Sequence, residues 1–394
     1  MNTHHLATAM ATAINQVNHD AIENKRIVGS VVMVAKNGEI VYQQASGYAN
    51  REQQIPMHTD SLFLLSSVTK PIVTAAALCL VEQGVLDLQS PVTAYLPSFT
   101  PKLASGEQPV ITLHHLLTHS AGLKYRFDEP NGKGNYNSLQ ISDGFDQIAI
   151  SVDENLKRLS QATLIYQPGT NWCYSLALDV LGAVLAAATK KSLATVIKTL
   201  ITEPLNMPQT GFAVSESSQL VTHYYDATPQ PLPMPSPYFM HLDESWNNGI
   251  LSYDPKRIFN KHAYQSGGAG MVGNAPEFMQ FLLALTAKNN PISQQKLMDK
   301  MTKCYVSSDY AIQGPGWGFG YGGAVLDNPS LAKTPQGKGT IEWGGVYGHD
   351  WFYDPQQDLA VVIFTNTAIE GMAGLYTSQI KDAVYHSLAL ICRC

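Results

Sequence analysis

Charge is scarce in this chain. Of 394 residues only 14% are Asp, Glu, Lys or Arg, against 45% that are hydrophobic, and 25 basic side chains face 31 acidic ones. No stretch gathers Lys and Arg into a patch, so nucleic acid is not an expected partner. No run of about 18 apolar residues occurs, so no membrane span is expected. The start, MNTHHLATAMATAINQ, has neither a basic region nor an unbroken apolar stretch and does not read as a secretory signal. Cysteine is sparse: Cys79, Cys173, Cys304, Cys392 and Cys394 are scattered and odd in number. That pattern reads as free thiols in a reducing compartment, hence a cytoplasmic protein, rather than a disulfide framework. Cys392 and Cys394 have no second Cys or His pair nearby with which to hold a metal.

Catalytic signatures are missing as well. No serine stands in Gly-x-Ser-x-Gly, which disfavours an α/β-hydrolase nucleophile elbow. Neither His-Glu-x-x-His nor a His-x-His-x-Asp-His cluster is present. His115 and His119, at i and i+4 in HHLLTHSAGL, lack an obvious third ligand and read as packing or capping residues. No cofactor or metal is expected.

What the chain does contain is enough apolar material for a large core, more than most single cores reach, so two intimately packed lobes are expected. Residues up to Asn24 show helical spacing through Ala7, Met10, Ile14 and Val17. Ile27–Lys36, then Asn37-Gly38, then Glu39–Ser46 reads as a β-hairpin, because a type I′ turn needs positive φ at both central residues. Further strands are expected at Trp317, Gly323–Val325, Thr340–Trp343 and Leu359–Thr365, and a helix over Leu375–Leu390. The middle reads as helices at Pro71–Gln83, Leu113–Thr118 and Leu176–Ala188, interrupted by two irregular stretches, Lys124–Gln147 and the Pro-rich Tyr224–His262. The second is equally readable as a surface strap or a pocket wall. The expected class is α+β: an antiparallel sheet flanked by helices, built from residues 1–80 and 265–394, with a mainly helical lobe at 81–264.

The first candidate for chemistry is Ser67-Val68-Thr69-Lys70. A hydroxyl becomes a useful nucleophile only when a neighbouring base takes its proton. Residues i and i+3 share a helix face, so Lys70 can reach the Ser67 oxygen. The motif alone is weak, since Ser293–Lys296, Ser330–Lys333 and Ser378–Lys381 match it too. Context singles out the first: it follows the apolar Leu62–Leu65 and opens an apolar helix. Ser66 is the adjacent rival, but it has no Lys at i+3. Tyr174 follows a Pro168-Gly169 turn and could shuttle a proton from a cleft, although alone it reads as a packed aromatic. In Trp343-Gly344-Gly345-Val346-Tyr347-Gly348-His349-Asp350, a β-prone run leads into glycines. Such glycines mark either a turn or a close approach by a ligand or another backbone. His349 and Asp350 are the alternative, triad-like partners of Ser67.

Together these elements resemble the class C β-lactamase-like carboxylesterases, the family VIII esterases of the serine β-lactamase and penicillin-binding-protein superfamily. The likeness extends to ITLHHLLTHSAGL (111–123), ISDGF (141–145), Tyr166–Leu185, GGAGM (267–271) and WGGVYGHDWF (343–352). It implies a serine hydrolase in which Ser67 is acylated, Lys70 and Tyr174 act as general base and proton relay, and the backbone N–H groups of Ser67 and Val346 form the oxyanion hole. The implied pocket comprises Trp343, Gly344, Gly345, Leu176 and His349, with Tyr125 and Phe127 from the first irregular stretch. Two departures stand out. The class C Tyr-x-Asn is here Tyr174-Ser175-Leu176, and its Lys-Thr-Gly is Trp343-Gly344-Gly345. Loss of the lysine and the amide implies a cleft for neutral, fairly apolar acyl groups. Ester hydrolysis is therefore the expected reaction, on a small-molecule ester, with weak β-lactamase or acyltransferase activity compatible. The rivals are a class C-like β-lactamase or D-alanyl peptidase, and a non-catalytic binding protein on the same scaffold.

Overall fold

The computed structural model describes residues 3–391, apart from Gln147, 215–218 and Lys261. Cys392 and Cys394 lie outside the described residues. The anticipated hairpin forms from β1 (Gly29–Lys36) and β2 (Glu39–Asn50), joined at Asn37 and Gly38 with φ of 53° and 79°. β3 (Ile55–Pro56) extends it. From the other end of the chain come β4 (Trp317–Phe319), β5 (Ala324–Leu326), β6 (Ile341–Gly345), β7 (His349–Asp354) and β8 (Leu359–Thr365). They complete one antiparallel sheet of eight strands in the order β4-β5-β6-β7-β8-β1-β2-β3. β8 lies beside β1 with Ser30 opposite Thr365 and Lys36 opposite Leu359. The two ends of the chain thus close the sheet at its centre.

The unbroken apolar run of β8 follows from burial on both faces. Its alternation sends Ala360, Val362 and Phe364 into one core, with Val31 and Met33 of β1. Leu359, Val361 and Ile363 enter another, with Val32 and Val34. Each such side chain contributes about 1.5–3 kcal/mol on burial. Helices α1 (Thr3–Glu23) and α5 (Leu375–Ile391) cover the second face. The buried stripe of α1 runs through Leu6, Met10, Ile14 and Ala21, while Ala7 and Val17 flank it. The first face carries α4 (Ala275–Thr286), whose Phe278 packs on Phe364.

Beyond that face lie α2 (Thr69–Glu82), α3 (Ala177–Thr189) and shorter helices at Leu113–Leu117, Val152–Gln161 and Leu193–Ile197. Every residue of α2 from Thr69 to Leu80 is buried, which is why its sequence is apolar all round. The Pro-rich stretch forms two small ladders, Tyr224–Tyr225 with Leu232–Pro233 and Tyr238–His241 with Ile250–Tyr253. No single described helix is long and apolar enough to cross a membrane.

Candidate active site

The segment before Ser67 is fixed from several sides. Phe63–Leu64 pairs with Val272–Gly273, and Leu65 N–H donates to Met271 O at 2.8 Å. Both polar groups of the Leu64 peptide are held by buried histidines: its N–H meets His223 Nε2 at 3.4 Å, and its carbonyl accepts from His349 Nε2 at 2.9 Å. Because a carbonyl only accepts, the His349 proton sits on Nε2. Ser66 then takes the left-handed conformation, φ 43°, that a non-glycine residue adopts at a cost of about 1–3 kcal/mol. A 3-10 turn over Ser66–Val68 follows and runs straight into α2. β6 packs against this turn. A β-carbon on Gly345 would lie 2.7 Å from Leu65 O and 2.7 Å from Ser66 Oγ, so the second glycine of the WGG run is the residue that lets the strand edge approach the serine.

The turn leaves Ser67 with 7% of its surface exposed, while Lys70 one helical turn on has none. Lys70 Nζ donates to Ser67 Oγ at 3.1 Å and to Gly268 O at 2.9 Å. Tyr174 donates its hydroxyl to the same Ser67 oxygen at 2.6 Å, and its ring lies 4.5 Å below the lysine nitrogen. Trp343 Nε1 donates in turn to Tyr174 Oη at 3.3 Å. A hydroxyl, an amine and a phenol therefore share one point, at distances that permit proton transfer. The other Ser-x-x-Lys matches are put to structural use. Ser293 Oγ donates to Glu82, Ser378 Oγ caps Leu375 O, Lys381 pairs with Glu342 and Asp350, and Ser330 is exposed.

His119 braces the phenol from behind, its ring 5.0 Å from that of Tyr174. Its Nδ1 accepts the Ser175 N–H at 3.2 Å, so the ring is neutral with its proton on Nε2. Burial, with the nearby Lys70 charge, holds it well below the usual histidine range. His115 does a separate job: its Nδ1 accepts the Thr112 N–H in a capping box on Leu113–Leu117. The two rings thus serve different partners.

An arc of neighbouring aromatic rings starts at the Tyr174 phenol. Tyr174 leads to Tyr125 at 5.0 Å, which stacks on Phe127 at 4.7 Å, then to Phe145 at 6.4 Å, Tyr253 at 6.3 Å and Tyr347 at 5.1 Å. The arc ends at the β6–β7 turn, where Tyr253 donates to Val346 O at 3.0 Å. On the other side Tyr174, Trp343, Phe319 and Trp172 form a second aromatic group. The irregular 124–147 stretch is shaped by buried carboxylates. Asp143 accepts the N–H groups of Arg126 and Phe127 at 2.8 and 3.1 Å, and Asp146 pairs with the Arg126 guanidinium at 2.8 Å. Burial pushes the Asp143 carboxyl up to about 7, against the pull of Arg126.

The structure therefore brings together Ser67, Lys70, Tyr174, Trp343, Gly345, Val346, Tyr125 and Phe127. Three expected pocket residues lie elsewhere. Leu176 is fully buried and enters the core at the start of α3. Gly344 points to the opposite face from Trp343 and Gly345, as strand alternation requires, and abuts Met372. His349 is fully buried and spent on Leu64, and burial pushes it down to about 4. Asp350 leaves β7 on the other face and pairs with Lys381 at 3.0 Å, so it forms no triad with His349. Gly268, Phe145, Tyr253 and Tyr347 were not read from the sequence as site residues. The GGAGM motif was the signal for the first, and aromatic spacing in the irregular stretches for the others. The Pro-rich segment is both things it could have been: Tyr238 and Tyr253 join the ring cluster while Phe239 and Trp246 face solvent.

The chain matches the Beta-lactamase family over residues 8–384. It is 45% identical over 379 residues to esterase EstB of Burkholderia gladioli, covering 96% of each chain. The solved structure of EstCE1, described as a hydrolase with promiscuous acyltransferase activity, aligns with a TM-score of 0.93 at 44% identity, over 96% of this chain and 99% of that one. Simvastatin synthase LovD of Aspergillus terreus shares the fold, with a TM-score of 0.74 at 22% identity over 95% and 98% of the two chains.

Proposed function

The chain belongs to the beta-lactamase family, and on that premise we propose that it is a serine carboxylesterase whose acyl-enzyme forms on Ser67. The observation that carries this reading is the convergence of Lys70 Nζ and Tyr174 Oη on Ser67 Oγ, at 3.1 and 2.6 Å. Ser67 attacks the ester carbonyl as Lys70 takes its proton. The N–H groups of Ser67 and Val346 receive the developing oxyanion. Tyr174 gives its proton to the departing alkoxide, which leaves as alcohol, and Lys70 returns to Tyr174 the proton it took from Ser67, so that both groups are restored. Water, activated by the same pair, then releases the acid.

The substrate class follows from what surrounds these groups. Where class C β-lactamases carry a strand lysine for a substrate carboxylate, Trp343 offers an indole, and the facing wall is the aromatic arc from Tyr125 to Tyr347. Neutral, fairly apolar esters of small to medium size fit that surface. The EstB and EstCE1 likenesses support ester over lactam cleavage, and the promiscuous acyltransferase activity of EstCE1 favours acyl transfer to a second alcohol as a side reaction. The free thiols of Cys79, Cys173 and Cys304 support a reducing, cytoplasmic setting.

The test offers the purified protein a short-chain nitrophenyl ester and a chromogenic cephalosporin. Ester turnover is expected to exceed lactam turnover by a wide margin, and Ser67→Ala to abolish both with the fold retained. The reverse order of substrates supports a β-lactamase, turnover of neither a binding protein, and retained turnover in Ser67→Ala rejects the assignment.

A further inference from the structure

Asp179 lies in the first turn of α3, just past Tyr174, and is enclosed with 5% of its surface exposed. Among the described residues neither of its carboxylate oxygens has a well-formed hydrogen-bond or ion-pair partner. Its carboxylate lies against Ser266 Oγ and the Gly268 N–H without closing a well-formed hydrogen bond to either. A buried, incompletely satisfied carboxylate is costly, and its position here is specific.

That position is one glycine away from the amine of the site. A β-carbon on Gly268 would lie 2.5 Å from Asp179 Oδ2 and 3.2 Å from the Tyr125 hydroxyl oxygen. The same Gly268 gives its carbonyl to Lys70 Nζ at 2.9 Å. The loop that carries it is closed by Ser266, whose Oγ accepts the Ala269 N–H and whose carbonyl accepts the Gly270 N–H, each at 3.0 Å. It is zipped to the nucleophile segment where Met271 N–H donates to Thr69 Oγ1 at 3.2 Å. The charged and titratable groups facing Asp179 are Lys70 from α2, Arg257 from the turn Pro255–Phe259, and the Tyr125 and Tyr264 phenols. Arg257 is occupied, donating to Asp146 O at 3.0 Å and Tyr264 O at 2.7 Å. Lys70 is the facing group that gains a charge during the reaction.

We propose that Asp179 is a positioning residue for Lys70. Its negative charge, held across Gly268, stabilises the ammonium that forms when Lys70 takes the Ser67 proton, and its bulk fixes the Gly268 carbonyl that orients the amine. Asp179 touches neither substrate nor the reacting oxygen. Burial raises its carboxyl to about 6. Above that value the anion assists Lys70; below it the neutral acid does not. The inference rests on the Ser67–Lys70–Tyr174 assignment.

Asp179→Asn keeps the shape and removes the charge. With a nitrophenyl ester, kcat is expected to fall about tenfold or more, the factor carried by one unit of proton affinity. KM should hold, and an acid limb near pH 6 in the wild-type kcat profile should vanish in the variant. A wild-type kcat and acid limb in folded Asp179→Asn overturn the inference, while an inactive Ser67→Ala in the same assay leaves the parent assignment standing. Should Asp179→Asn not fold, the wild-type enzyme supplies the measurement. Its rate of covalent inactivation by an organophosphonate should drop below pH 6, and a rate flat from pH 5 to 7.5 overturns the inference.

Discussion

The Trp343 indole N–H donates to the Tyr174 phenol oxygen at 3.3 Å, with the two rings 5.1 Å apart. The residue that replaces a lysine in the class C pattern is thus more than a wall. It offers a neutral donor to the oxygen that must carry charge while its proton is on loan to the leaving group. Trp343→Phe keeps the apolar surface and deletes the donor. One neutral hydrogen bond contributes about 1 kcal/mol, so kcat should fall about fivefold with KM little changed. Steady-state kinetics on a nitrophenyl ester decide it; an unaltered kcat would show that the indole serves only as surface.

Lys70→Ala and Tyr174→Phe remove the amine and the phenol that meet at Ser67 Oγ. Each should lower kcat/KM by roughly two orders of magnitude or more, the range general acid–base groups supply. The double variant should lose far less than the product of the two, because both act on one proton. Full multiplicative loss would mean that the two groups act in separate steps.

Gly345 is where the strand meets the nucleophile turn. The β-carbon introduced by Gly345→Ala would sit 2.7 Å from Leu65 O, a backbone atom that cannot swing aside. The turn must shift, and a displacement near 1 Å at a reacting atom costs about a hundredfold in rate. The variant should remain folded yet label slowly with a phosphonate. Labelling within twofold of wild type would show that the turn has slack.

How far the sequence told this in advance depends on the range of the signal. The hairpin at Asn37-Gly38 and the helix after Ser67 were legible because turn chemistry and apolar periodicity are local. Ser67, Lys70 and Tyr174 were legible through motif and context. Part of the pocket, with Tyr125, Phe127, Trp343 and Gly345, was legible through the resemblance; the rest was not, because Phe145, Tyr253 and Tyr347 come from separated segments that only tertiary folding joins. The misplacements have physical causes too. Gly344 follows from period-two alternation once Trp343 and Gly345 face the site. His349 and Asp350 were hidden because a glycine run masked β7, whose alternation sends them to opposite faces. Leu176 shares a motif with Tyr174, but the chain turns into α3 there and buries it.

On the far face, Lys381 of α5 reaches Glu342 at 3.1 Å and Asp350 at 3.0 Å, and Gln336 Nε2 donates to Glu342 at 2.7 Å. Lys381→Ala leaves two carboxylates buried without their cation, a loss expected to cost about 3–5 kcal/mol. Adding Asp350→Asn should recover part of it. Activity per folded molecule should be unaffected, since this cluster lies across the sheet from Ser67. Urea unfolding measures the first effect and active-site titration the second; a loss under 1 kcal/mol would mean that water replaces the lysine.

The histidines that hold Leu64 make the nucleophile segment sensitive to acid. Burial pushes His349 down to about 4 and His223 to about 3, whereas an unfolded chain carries histidine near 6.5. Between those values the unfolded chain binds protons that the native protein does not, so stability rises with pH across this window. The contribution is complete above pH 6.5 and is lost as pH falls through 4. Asp143 and Asp179 run the opposite way, since burial raises their carboxyls to about 7 and 6, and ionising them as pH climbs weakens the fold. A comparison at one site separates the two. His349→Gln keeps an N–H able to donate to Leu64 O but does not titrate, and the aspartates contribute equally to both proteins. The stability lost between pH 7 and 4.5 should therefore be smaller in the variant, by on the order of 2 kcal/mol. Parallel urea-unfolding curves at the two pH values would mean that the His349 proton does not set the acid limit.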